Sequence, residues 1–375
     1  MQMVYIKRLD IKTFRGISSL QLDELCPINI LTGDNNSGKT SVLEVIRSYE
    51  SPEDLRAWGN LLRRGLSDIT GPDSLTLYEG FYDLFNINQN EKKVEYVIET
   101  DQNHVQHKEH VLLTAVEGEE ELTWKEYGEL AGIYHFQDGE AVYDNTVILP
   151  KIDIQMTIND KLVSETYLVE GQRRNIYRNG KVPKREEEHK IIYISPSRHT
   201  QGNVYLSEIL KYPELYEEML EILRDYDEDI ISINYDNDGR YSSKGIYKIL
   251  SKSYKEALPL NMYGDGMKKA ILLMSAVLKA QNGILLLDEF ETAIHTSAMD
   301  RTFRWILETC LKLNVQVFLT SHSKEAIDKV LKCSEKVKKN IALYTLYKDN
   351  EKISARRLTG EKAIEAQDEM GLELR

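Results

Sequence analysis

The stretch INILTGDNNSGKTSVLEVI, residues 28–46, decides the fold. Ile28–Leu31 reads as a short apolar strand. Gly33-Asp34-Asn35-Asn36-Ser37-Gly38-Lys39-Thr40 follows and matches G-x-x-x-x-G-K-[ST] in full. Val42, Leu43, Val45 and Ile46 then set an apolar helical pattern. A strand, a glycine-rich turn and a helix in that order make a phosphate cradle. Backbone N–H groups wrap the anion, and the helix N-terminus adds partial positive charge. In such a loop Lys39 reaches the β- and γ-phosphates and Thr40 ligates Mg²⁺, with Ser41 closing the nucleotide-binding set.

A second stretch answers the first. Ile284-Leu285-Leu286-Leu287 reads as a buried strand, and Asp288-Glu289 follows at its C-terminal end. Ligand sites of parallel sheets lie at that end. Asp288 fits the acid that holds the metal, and Glu289 fits the group that orients or deprotonates the attacking water. A third apolar strand, Val315–Leu319, ends in Thr320-Ser321-His322-Ser323.

Outward from these motifs, strand and helix text alternates. Val4, Ile6, Leu9 and Ile11 give a rough strand alternation near the start. Helical text runs from about Pro52 to Leu66, from Leu75 to Phe85 and from Tyr205 to Tyr226. Ile191–Ile194 is another short apolar strand. From about 91 to 189 the texture changes to β-branched and aromatic residues. Turn pairs punctuate it: Asp138-Gly139, Asn159-Asp160 and Asn179-Gly180. The spacing predicts one α/β head split by an antiparallel, β-rich insertion. Residues 1–90 and 191–375 form the head and 91–190 the lobe.

Composition narrows the classes. Of 375 residues, 48 are Lys or Arg and 61 are Asp or Glu, a net charge of -13. The segment 91–189 holds 21 acidic and 12 basic residues, so most of the negative charge sits in the lobe. A globally basic nucleic-acid binder is excluded, and a local contact is not. Cys26, Cys310 and Cys333 are too few and too scattered for a disulfide framework or a paired zinc motif. That pattern implies a reducing cytoplasm. The N-terminus lacks the apolar core of a signal peptide, and no apolar run approaches the ~20 residues of a membrane span.

Lys39 and Asp288 stand 249 positions apart. That gap, filled by an insertion, resembles the ABC-type heads of RecF and SMC proteins. Gly264-Asp265-Gly266 opens a helix (Met267–Ala280) just before the Asp288 strand, where those heads carry their signature loop. His322 stands where they carry the switch histidine that touches the γ-phosphate. The wider pattern resembles the ATPase domain of the overcoming-lysogenization-defect (OLD) family. The residues that carry it are Phe14-Arg15-Gly16, YISPSR at 193–198, YGDGMKKAILL at 263–273, LLLDEFETAIHTS at 285–297 and FLTSHS at 318–323.

The resemblance covers about 275 residues on the two flanks and says little about the lobe. It implies an α/β fold, a P-loop NTPase head of ABC type with a mainly parallel sheet. It further implies ATP and Mg²⁺ as ligands, with Glu289, Lys39 and His322 as the hydrolytic set. Arg15 is placed near the nucleotide. Gly264 and Gly266 are placed at the nucleotide of a partner subunit, in a homodimer or higher homo-oligomer built around ATP.

Three departures stand out. The signature loop lacks Ser-Gly-Gly and carries Asp265, with Lys268 and Lys269 nearby; Phe290 stands where many relatives have Pro; no glutamine-bearing loop is evident between the phosphate loop and the lobe. Full OLD proteins add a C-terminal TOPRIM nuclease domain, and only about 50 residues follow His322. The resemblance therefore points to a bacterial anti-phage ATPase that controls a separately encoded nuclease. The alternative is a RecF-like DNA-repair ATPase.

Other patterns carry less. His104, His107 and His110 lie in strand text, where i and i+3 point to opposite faces, which argues against a zinc site. Asn234-x-Asp236-x-Asp238-Gly239 echoes a calcium loop, but its twelfth position is Gly245 rather than Glu. Asp225, Asp227 and Asp229 read as a solvated helix end, and Arg185–His189 has the wrong spacing for an R-x4-6-H nuclease motif. Residues 171–185 hold Arg173, Arg174, Arg178, Lys181, Lys184 and Arg185 with no acid, around the Asn179-Gly180 turn. Tyr177 there offers a ring for base stacking. This basic hairpin reads either as a grip on a nucleic-acid backbone or acidic partner, or as a solvated turn balanced by Glu186–Glu188.

Overall fold

A computed structural model describes residues 4–62, 75–102, 105–132, 145–173, 189–196, 204–236, 246–293, 296–349 and 352–368. Two six-stranded sheets and a small three-stranded one organise them.

The first large sheet is antiparallel, in the order β2 (Leu20–Leu22), β1 (Val4–Thr13), β4 (Lys92–Gln102), β5 (Val105–Thr123), β6 (Thr146–Ile158), β7 (Lys161–Val169). The segment expected as a lobe supplies β4–β7, and these strands extend a sheet that begins with β1 and β2. The irregular phase of β1 has a local cause. Its register against β4 slips between Ile6 and Arg8. A bulge there turns the even-numbered inward positions into odd ones, so Ile6, Leu9 and Ile11 are all fully buried. Asn159 and Asp160 both take positive φ in the tight turn between β6 and β7.

The second large sheet has the order β15 (Lys352–Thr359), β14 (Ile341–Asp349), β3 (Ile28–Gly33), β13 (Gln316–Thr320), β12 (Ile284–Leu287), β8 (Ile191–Ile194). All neighbours pair in parallel except β15 with β14. Its central strands are apolar throughout because both faces are covered. Leu285 and Leu287 enter one core, with the helices Asp265–Lys279, Thr296–Lys312 and Lys324–Lys332. Ile284 and Leu286 enter the other, with the helix Lys39–Ser48.

That helix is packed between the two large sheets. Val42, Leu43, Val45 and Ile46 share a core with Val94, Tyr96 and Ile98 of β4 on one side and Leu31 and Phe318 on the other. The phosphate-loop helix is thereby fixed on two faces. Of the helical text after Pro52, the helices Leu55–Gly59 and Leu77–Tyr82 form, and 63–74 lie outside the described residues. The three-stranded sheet, β11 (Leu258–Pro259), β10 (Ile246–Ser251) and β9 (Ile230–Asp236), flanks the helical core. Among the described residues, no helix is long and apolar enough to cross a membrane.

At the opposite end from the phosphate loop, the buried side chain of Gln316 ties the two large sheets together. Its Oε1 accepts from Ile6 N–H at 2.8 Å, and its Nε2 donates to Ile6 O at 2.9 Å and Cys26 O at 3.1 Å. Gln316→Leu strands these backbone groups. The expected loss is about 2–3 kcal/mol, read as a lower urea midpoint with an unchanged m value.

Candidate nucleotide-hydrolysis site

Because β3, β13, β12 and β8 run in parallel, their C-terminal ends share one rim. The register then decides which residues meet there. Leu287 pairs with Leu319 and with Ile194, which puts Thr320 and Ser195 beside Asp288.

The phosphate loop leaves β3 at Gly33. Gly33 has φ +138, and a Cβ there would lie 2.1 Å from Leu346 O of the neighbouring β14. Gly38, at φ +92, opens the helix Lys39–Ser48. No side chain caps this helix and no acid stands in its first turn. Its terminal N–H groups are left for an anion. Asp34, Asn35 and Asn36 are exposed, and Ser37 and Lys39 are buried. Lys39 Nζ donates to Gly33 O and Asp34 O, both at 2.8 Å, and to Ser37 Oγ at 3.3 Å. Burial pulls its pKa below the ordinary lysine value. The carboxylates Asp288, Asp34, Glu289 and Glu291 partly offset that fall. One cation thus faces several acids, an imbalance that suits a nucleotide carried with a divalent cation.

Asp288 is the meeting point. Its Oδ1 accepts from Thr320 Oγ1 at 2.6 Å and from Thr40 Oγ1 at 3.3 Å. Its Oδ2 accepts from Tyr193 OH at 3.1 Å. Burial, then the nearby charges of Asp288 and Glu44, push the Tyr193 phenol up, so it remains a donor. The Arg47 guanidinium lies 4.9 Å from the centre of the Tyr193 ring. Glu289 follows with φ +47, and its N–H donates to Thr320 Oγ1 at 2.8 Å. One threonine therefore orients both acids. His322, half-buried just past β13, donates its backbone N–H to Glu291 Oε1 at 2.8 Å.

A hydroxyl and a carboxylate suit Mg²⁺, a hard cation that keeps several waters and takes few protein ligands. Thr40 and Asp288 supply that pair. Among the described residues, no group of three or more His, Cys, Asp or Glu gathers to hold a metal unaided.

Gly264 precedes the helix Asp265–Lys279 without a side-chain cap. The helix runs back to the start of β12, so its N-terminus lies on the phosphate rim. Lys269 Nζ marks the contact, donating to Thr292 O at 2.8 Å. Gly264 is exposed, and a Cβ added there meets nothing within 4 Å; at Gly266 the nearest atom is Tyr226 Cε1 at 3.4 Å. Asp265 is answered within its own helix: Lys268 Nζ lies 2.7 Å away, and hydrogen bonding to it holds the exposed carboxyl below the ordinary range.

Arg15 is engaged in building the head. Its Nε pairs with Glu44 at 3.0 Å, and its terminal nitrogens donate to Leu61 O at 2.8 Å and Asp83 O at 3.1 Å. It is tied to the phosphate-loop helix through Glu44, one turn beyond Thr40. Of the basic residues in 171–185 only Arg173 lies within the described residues, where its N–H donates to Leu130 O at 2.9 Å. Arg174, Arg178 and Lys181 lie outside them. His110 pairs with Glu95 at 3.1 Å, and His104 lies outside the described residues.

Tyr193, Thr320 and Glu291 lie within quoted motifs, but their contacts at the site are not evident from those motifs. The signal for them is the parallel register, which sets Tyr193 opposite Leu286 and Thr320 one residue beyond the Leu287–Leu319 pair.

A complete phosphate loop and a paired acid on one rim of a two-sided parallel sheet define a P-loop ATPase head of the ABC class. Residues 28–328 match the family described as "AAA domain, putative AbiEii toxin, Type IV TA system", and the chain belongs to that family. It is 23% identical over 340 residues to an "ATP/GTP phosphatase" of Helicobacter pylori, with 86% of each chain covered. A shorter stretch of 69 residues is 39% identical to "DNA replication and repair protein RecF" of Idiomarina loihiensis, covering 18% of this chain and 20% of that one. Among solved structures, an SMC head bound to the C-winged helix domain of ScpA shares the fold. Its TM-score is 0.50 at 13% identity, and the match covers 96% of this chain and 99% of that chain.

Thr320→Val removes the hydroxyl that serves Asp288 and Glu289 N–H while keeping the volume. It is expected to weaken Mg²⁺ affinity about 10–100-fold. Calorimetric titration of ATP with and without Mg²⁺ checks this: binding in EDTA should change little.

Proposed function

We propose that this protein hydrolyses ATP with Mg²⁺ and pairs its heads around the nucleotide. The observation that carries the reading is the junction at Asp288. It brings Thr40 of the phosphate loop within 3.3 Å of an acid 248 residues away, with Glu289 next in sequence.

In this reading Gly33–Ser41 cradle the phosphates, Lys39 leaves its loop carbonyls for the phosphate oxygens, and Arg15 flanks the nucleotide. Thr40 and Asp288 hold Mg²⁺, which neutralises phosphate charge when bound. Glu289 takes the proton of the attacking water, and His322 meets the γ-phosphate. The open, uncapped helix end at Gly264–Gly266 supports a trans contact to the nucleotide of a second copy. ATP then favours the paired state, and hydrolysis releases it, because the two states differ in affinity for ATP.

The chain divides in this account into head segments 1–90 and 191–375, with 91–190 inserted and joined to them through the shared antiparallel sheet. The reference to a toxin–antitoxin system in the family's description supports a role in bacterial defence. The resemblance of the residue pattern to OLD proteins supports a nuclease as the effector. A second reading, a RecF-like repair ATPase that grips DNA through the basic residues Arg173, Arg174, Arg178 and Lys181, is favoured by the local RecF identity.

Glu289→Gln tests the mechanism. Hydrolysis is expected to fall about 100-fold or more, and light scattering should find an ATP-dependent dimer that persists. A variant that turns over normally, or stays monomeric with ATP, contradicts the paired-head mechanism. DNA capture by the trapped dimer, with a steep salt dependence, moves the role toward repair.

A further inference from the structure

The four residues after Glu289 form a single tight turn, Phe290–Ala293. Its start is anchored in the core, where the fully buried Phe290 meets Phe303 edge-on at 4.9 Å. Thr292 donates to Glu289 O from both its N–H, at 3.0 Å, and its Oγ1, at 2.9 Å. Thr292 O in turn receives Lys269 Nζ from the signature helix. Backbone pinned on both sides leaves the Glu291 side chain a defined place on the rim.

Its two oxygens differ. Oε1 accepts from His322 N–H at 2.8 Å and so joins the turn after β12 to the turn after β13. Oε2 is sealed from solvent and has no hydrogen-bond partner among the described residues. The negative charge is felt at Lys39, where Glu291 offsets a small part of the fall in pKa that burial causes. The rest of the His322 loop has its own supports: Ser323 N–H donates to Ser321 Oγ at 3.0 Å, and Ser323 Oγ caps Ala326 N–H at 3.2 Å. The backbone of His322 is held by Glu291.

We propose that Glu291 is a positioning residue for hydrolysis: its carboxylate sets His322 at the γ-phosphate. This rests on the ATPase reading above. It also gives the second acid of the Glu289-Phe290-Glu291 stretch a task distinct from that of Glu289.

The test uses the full chain with Glu291→Ala, Glu291→Asp and Glu291→Gln, each alone and with His322→Ala, and steady-state phosphate release. Alanine removes the acceptor, and aspartate keeps the charge but falls short of His322. Both are expected to lower kcat about 10–100-fold, the cost of a small misplacement. KM for ATP should move less than about threefold, the signature of an interaction used after binding. Glutamine keeps an acceptor oxygen and should retain most of kcat. In the His322→Ala background, the alanine change should cost nothing further. Additive losses, a rise in KM in place of the fall in kcat, or a glutamine variant as impaired as alanine each overturn the proposal.

A second readout needs no turnover. In chain labelled with ¹⁵N-histidine, the His322 amide proton should move upfield in the alanine and aspartate variants and stay near its place with glutamine. An unmoved resonance overturns the link. A wild-type chain without turnover would instead remove the ATPase reading, while the resonance still judges the Glu291–His322 contact.

Discussion

The carboxylate of Asp288 is the constraint on which the site depends. It is 4% exposed, so its charge needs partners on every side. Thr320, Thr40 and Tyr193 supply them from β13, the phosphate-loop helix and β8. Each donor reaches it because parallel strands in fixed register end at one level. The same threonine that serves Asp288 receives Glu289 N–H, so the acid proposed to hold the metal and the acid proposed to activate water are set by one hydroxyl.

That rim stays in place because the structure behind it is rigid. Both faces of the parallel sheet are buried, and the phosphate-loop helix is held between two sheets. At the far end Gln316 locks β1 to the start of β3 and β13. Exposed backbone lies at the other end, in the loop Asp34–Asn36 and the open Gly264 terminus. In the proposed mechanism these are the parts that a nucleotide and a second copy reach.

The sequence shows the local parts of this arrangement plainly. A phosphate loop, its strand and its helix are contiguous, so residues 28–46 declare themselves. The pair Asp288-Glu289 after an apolar strand does the same. What depends on distant strands does not show. Tyr193 lies within the stretch YISPSR, yet its contact with Asp288 exists only because β8 is the neighbour of β12. Thr320 and Glu291 are ordinary polar residues until β12 and β13 are aligned. Strand text from 91 onward is legible as hairpins, but its pairing with β1 is not, since register between segments ~80 residues apart leaves no local trace. The phase slip in β1 is visible in the sequence only as imperfect alternation, and the bulge at Ile6–Arg8 accounts for it.

The most direct test of the Asp288 junction is phosphate release from MgATP by the full chain, set beside Asp288→Asn. That change keeps the shape and hydrogen-bonding reach of the side chain and removes its charge. Saturable release by the wild type that falls about 100-fold or more in the variant, with the fold intact by circular dichroism, is the result this account predicts. Equal release by the two proteins would contradict it.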